Sequence, residues 1–119
     1  YYLKIDNRLI LSLWSQDQKT ISGITVYSND FKTKNNLHIG LEINKILKIH
    51  PDLKIKLSEE TMEEYFSIGD YFDKNDNTFL IYLKSNSDSH LGRYSSDEFG
   101  PESNDFAKDG KIEKIEIFK

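Results

Sequence analysis

A chain of 119 residues with 37% hydrophobic and 30% charged side chains has the size and composition of one folded domain, spanning 1–119. Its net charge of −4, with lysines scattered along the chain, argues against a nucleic-acid partner, whose phosphates are normally met by clustered Lys and Arg. The absence of cysteine excludes disulfide scaffolding, thiolate catalysis and cysteine-based zinc sites, and no run approaches the roughly 20 apolar residues of a membrane-spanning helix.

Residues 1–5 and 8–14 read as two antiparallel strands, the second alternating Leu9, Leu11 and Leu13 against Ile10, Ser12 and Trp14, with Asp6-Asn7 as the tight turn between them. A polar turn leads to a third strand over 21–28. From 41 to 50, Ile43, Ile46, Leu47 and His50 recur at helical spacing, which predicts an amphipathic helix laid on a sheet. Gly40 is its expected N-cap, and Pro51 stops it by pushing His50 out of helical geometry.

Leu53, Ile55 and Leu57 then alternate with charged residues as a half-buried strand. Ser58 to Phe66 fits a short helix or turn, because a serine cap precedes early glutamates, although EYFSIG also suits a strand. FLIYLK, 79–84, reads as a central strand buried on both faces, and 111–119 as a final strand. The three-residue step from Ile112 to Ile115 breaks period-2 register, like that from Ile21 to Ile24, and implies a bulge or a turn-closing isoleucine.

Candidate chemistry is sparse. Asp73, Asn75 and Asn77 open a calcium-loop pattern, but Thr78 replaces the glycine and Lys84 replaces the bidentate carboxylate, so a turn is the better reading. His38, His50 and His90 lack metal-ligand spacing, and His50 is expected to pack at the helix end; neither a metal nor a cofactor is expected. In the irregular stretch 85–110, His90, Arg93, Tyr94 and Asp97 combine donors, an aromatic surface and acidic groups, which makes them the candidate binding residues. The competing reading tucks Tyr94, Phe99 and Phe106 into a satellite core. A catalytic alternative, a small hydrolase, would draw on His90, Ser95, Ser96, Asp97 and Glu98, without a G-x-S-x-G elbow to expose a serine.

The segment FKTKNNLHIG followed by LEINKILKIHP resembles small uncharacterised bacterial domains found in exported proteins and lipoproteins. In this chain Asn36 stands where glycine is usual, Leu41-Glu42 replace small or hydroxylated cap residues, and His50 replaces the tyrosine before the proline. Asn36 tolerates the left-handed backbone that glycine would supply. A more distant likeness is to small periplasmic helix-on-sheet modules that bind other proteins.

The resemblance implies an exported domain of unknown activity, with a possible lipid anchor upstream of Tyr1 and a protein or small ligand as partner. The fold expected is α+β, an antiparallel sheet of about five or six strands with one main helix on one face. The function expected is that of a non-enzymatic binding or interaction module.

Overall fold

One row of apolar residues explains how this chain builds its sheet: Leu3 stands opposite Leu11, Leu11 opposite Val26, Val26 opposite Ile115, Ile115 opposite Ile81, and Ile81 opposite Phe66. In a computed structural model, described for residues 1–68, 78–94 and 101–118, these residues belong to one antiparallel sheet of eight strands. The strands are β1 (Tyr2–Ile5), β2 (Arg8–Trp14), β3 (Gly23–Val26), β4 (Ile55–Leu57), β5 (Glu64–Ile68), β6 (Thr78–Lys84), β7 (Glu102–Ser103) and β8 (Lys111–Phe118). Their order across the sheet is β1-β2-β3-β8-β6-β5-β4-β7.

The helix α1 covers only Ile43–Ile49 and is the one helix among the described residues, none of which forms a helix long and apolar enough to cross a membrane. This corrects the expected α+β fold of five or six strands with a main helix: the domain is β-rich. The added strands were hard to see for physical reasons. β5 begins with Glu64, whose charge masked a strand, and its partner Leu57 lies across from it at the end of a turn that Met62 closes with a left-handed backbone, φ 59. β7 is two residues, too short for any periodicity.

The helix is short because the chain before it is used as strand. Gly40 N–H donates to Ile112 carbonyl (2.8 Å), Ile112 N–H to Leu41 carbonyl (3.0 Å), and Ile43 N–H to Gly110 carbonyl (3.0 Å), so 40–43 is strapped to the start of β8. Gly40 is therefore not the cap. It takes φ +88, a conformation that favours glycine, and Glu42 occupies the N-cap without a side-chain bond to the helix. Ile43 and Ile46 then drop into the core, and His50 N–H closes the last turn on Ile46 carbonyl before Pro51.

The core joins Val26, Ile81, Leu83, Phe66, Ile55, Ile112 and Ile115 from the sheet to Leu37, Leu41, Ile43, Ile46 and Leu53 from the segment around the helix. Leu37, fully buried, is held by the 33–37 turn, where Asn36 adopts φ 63 as its position required. On β8 the pairing with β6 skips from Lys114 to Ile112, leaving Glu113 as the extra residue, so Ile112 and Ile115 both reach the core three positions apart. The other suspected irregularity resolves differently, since Ile21 lies outside β3 and is exposed.

On the opposite face Tyr65 lies across from Tyr82, and Tyr82 across from Lys114. The two rings sit 5.6 Å apart, the Lys114 ammonium stands 4.5 Å over Tyr82, and it pairs with Glu63 at 2.8 Å. Burial pulls the Lys114 ammonium down, but Glu63 and Glu116 outweigh it and leave its pKa raised. Burial, then the Glu116 carboxylate that accepts the Tyr82 hydroxyl at 3.1 Å, push that phenol well above the usual tyrosine range. The cluster is internally satisfied.

Candidate functional site

Of the residues singled out in the 85–110 stretch, the three described ones, His90, Arg93 and Tyr94, point in different directions. Tyr94 turns inward, Arg93 extends outward to an exposed pairing with Asp105 at 3.9 Å, and His90 is exposed; Asp97 and the serines of the hydrolase reading, Ser95 and Ser96, lie outside the described residues, as do Phe99 and the 73–77 calcium-like turn. What organises the segment is Glu64, a buried carboxylate on β5. It accepts hydrogen bonds from Leu91 N–H (2.6 Å), Gly92 N–H (2.7 Å) and the Tyr94 hydroxyl (2.6 Å).

Three donors on one carboxylate meet the desolvation cost of burying it, which would otherwise be several kcal/mol. They also fix Leu91 in the core and bring Tyr94 back over Gly92, where a Cβ would strike the Tyr94 ring. Burial, followed by the bond to Glu64, holds the Tyr94 hydroxyl well above its usual pKa. Tyr94 and Phe106 both pack against the core, and Gly92 pairs with Phe106. Tyr94 thus acts as a strut. Among the described residues, no group of three or more His, Cys, Asp or Glu is placed to hold a metal ion.

A concave site instead opens at the C-terminal end of α1. Ile49, His50, Pro51, Leu53, Phe66 and Ile68 form much of its wall, with Asp52, Lys54 and Ser67 at its polar side, around a cleft of about 440 Å³. The proline sends the chain away from the helix axis, Leu53 anchors the return in the core, and the gap between that return and β5 is the cleft. A second hollow of about 540 Å³ on the other side of the same 51–54 segment is bounded by Leu47, Phe106, Asn104 and Lys108.

His50 is the unusual member. Its ring tilts against Phe66 at 6.3 Å between centroids, and its Nε2 is buried without a hydrogen-bond partner. Buried polar atoms in folded proteins are nearly always paired, because leaving one unpaired costs about 1–3 kcal/mol. A cleft of this size, apolar on one side and with a few polar groups on the other, is the usual form of a small-ligand site. Nothing in the local sequence announces it, since Ile49 and Pro51 read as the end of a helix and Phe66 as part of a short helix, a turn or a strand.

His50 does pack at the helix end, as its position implied, but it also faces the cleft wall formed with β5. Compared with family models, with curated proteins and with solved structures, the chain matches none, so the chemistry of this cleft rests on its own residues.

Proposed function

We propose that this domain is a non-enzymatic binding module that takes a small, mostly apolar group bearing one hydrogen-bonding function into the cleft between the end of α1 and β5. The observation that carries this reading is the cleft itself, where the His50 ring, its Nε2 buried without a partner, lies against Phe66 in a wall of Ile49, Pro51, Leu53 and Ile68 with Asp52, Lys54 and Ser67 at one side. A planar hydroxylated or amino-bearing ring suits the cleft best: it would stack against Phe66, and a turn of the His50 ring that uncovers the buried Nε2 would let its polar hydrogen or lone pair serve either tautomer of the imidazole.

The test compares phenol with toluene on the intact chain by two-dimensional NMR. Phenol should shift the His50 and Phe66 resonances saturably, toluene more weakly, and His50→Phe should remove the difference while the domain stays folded. Absence of saturable shifts with phenol at millimolar concentration would overturn the site. Turnover of a p-nitrophenyl ester by the pure protein, abolished by His90→Ala, would overturn the non-enzymatic reading.

Export to the cell envelope belongs to the same proposal and rests on the resemblance of the 31–51 segment alone. The gene upstream of Tyr1 tests it. A cleavable leader or lipid-attachment cysteine supports export, whereas a start codon immediately before Tyr1 defeats it.

A further inference from the structure

We infer that the β1 edge is a self-recognition surface, at which a second copy of this chain adds its own β1 antiparallel, with Leu3 facing Leu3 across a two-fold axis. Three independent observations lead there. Neither β1 nor β2 contributes a residue to the hydrophobic core or to the side chains packed against it. Among the described residues the exposed large hydrophobics are Tyr1, Tyr2, Leu3, Ile5, Ile21, Ile49 and Met62, and the first four form the β1 edge, with Tyr2 68% and Ile5 56% exposed.

Backbone geometry supplies the second argument. Tyr1 and Leu13 exchange both backbone bonds, N–H of Leu13 to Tyr1 carbonyl at 2.8 Å and the Tyr1 backbone nitrogen to Leu13 carbonyl at 3.1 Å. The pairing shifts register between Leu3 and Lys4, but the extra residue, Ile10, lies on β2, so alternation continues along β1 and turns the N–H and C=O of Tyr2 and Lys4 outward, away from β2. Among the described residues no pairing partner lies on that side, where β1 is the first strand of the sheet order. Such an edge is a template for another strand.

Charge selects the occupant and the register. Outward groups must meet outward groups, so in self-pairing Tyr2 or Lys4 of one copy faces Tyr2 or Lys4 of the other. Setting Tyr2 against Lys4 joins all of residues 1–5, places an ammonium beside a tyrosine ring on one face, and aligns Tyr1, Leu3 and Ile5 with Ile5, Leu3 and Tyr1 on the other. Sliding by two residues one way opposes Lys4 to Lys4, which is repulsive; sliding the other way sets Tyr2 against Tyr2 and takes Lys4 away from its tyrosine partner. The favoured register also continues the Leu3–Leu11–Val26 row into the second copy, so the apolar stripe covers itself.

Sedimentation velocity on the whole chain at rising concentration tests the pairing. A concentration-dependent dimer is expected, weakened about tenfold or more by Leu3→Lys, which opposes two ammonium groups at the axis. The register has its own test, because the native chain has no cysteine. Leu3→Cys should cross-link two copies under mild oxidation, the opposed positions being within disulfide reach, whereas Lys4→Cys should not. A chain that remains monomeric up to about 1 mM overturns the proposal. A dimer insensitive to Leu3→Lys, with circular dichroism showing the variant folded, or one cross-linked by Lys4→Cys in preference to Leu3→Cys, overturns it equally.

Discussion

The single cross-strand row from Leu3 to Phe66 holds two environments made of the same kind of side chain. At its β1 end Leu3 is 36% exposed, whereas at β8 and β6 Ile115 and Ile81 are fully buried. The difference is not hydrophobicity or strand propensity. It is the covering layer: Leu37, Leu41, Ile43 and Ile46 join a core drawn from the β3 to β4 part of the sheet, to which neither β1 nor β2 contributes a residue. A strand's apolar face stabilises a fold only where a second layer removes it from water; elsewhere it is surface in search of a partner.

The sharpest contrast pairs Ile115→Ala with Leu3→Ala under urea denaturation. The first should cost about 4 kcal/mol, a transfer loss plus an unfilled cavity, and the second less than about 0.5 kcal/mol. Similar losses at both sites would mean that β1 belongs to the cooperative core after all. Next in size is Glu64→Ala, which strands two backbone donors and a hydroxyl beneath the surface and should cost about 3 kcal/mol while freeing residues 91–94 to exchange amide hydrogens. Gly92→Ala should follow at about 1–2 kcal/mol, as the Tyr94 ring must move to admit the methyl group.

A pH series separates the halves more gently. Tyr94 and Tyr82 both have pKa values raised by folding, so their contribution is complete below the unfolded value of about 10 and is lost as pH rises above it. Denaturation midpoints should therefore fall above pH 10, and less steeply in Tyr94→Phe. At the acid end Asp17, in the exposed turn between β2 and β3, accepts bonds from Lys19 and Thr20 N–H and is held down at about 2. Its turn should keep its amide chemical shifts well below pH 3.8 and change only near pH 2, with little effect on the midpoint.

Much of the uncovered half was legible from residues alone. Asp6-Asn7 demanded a two-residue hairpin and adopts it, both residues at positive φ, and the alternation of 8–14 identified its strand. Phe79 to Lys84 was placed centrally for its two-sided burial, and β6 does lie between β8 and β5. The failures share a cause. Glu64 is a buried carboxylate whose partners lie 27 to 30 residues away, so its local sequence looked like a solvated helix start. The His50 cleft likewise joins a helix end to β5, a segment whose residues suit a turn and a strand equally. Interactions between distant segments leave no local pattern, and both the clamp and the cleft are of that kind.

The position of β8 carries a further consequence, for the order in which the molecule can assemble. Strands β1 to β3 form one meander and β4 to β6 another, and the two are joined in the sheet only through β8, the last of the eight in the chain. During synthesis the two meanders would emerge with their inner edges, β3 and β6, open on the side that β8 will fill. Until Lys111–Phe118 leaves the ribosome, nothing locks them. Such a long-range closure slows folding and exposes strand edges to misassembly, so refolding should be rate-limited by docking of this final strand.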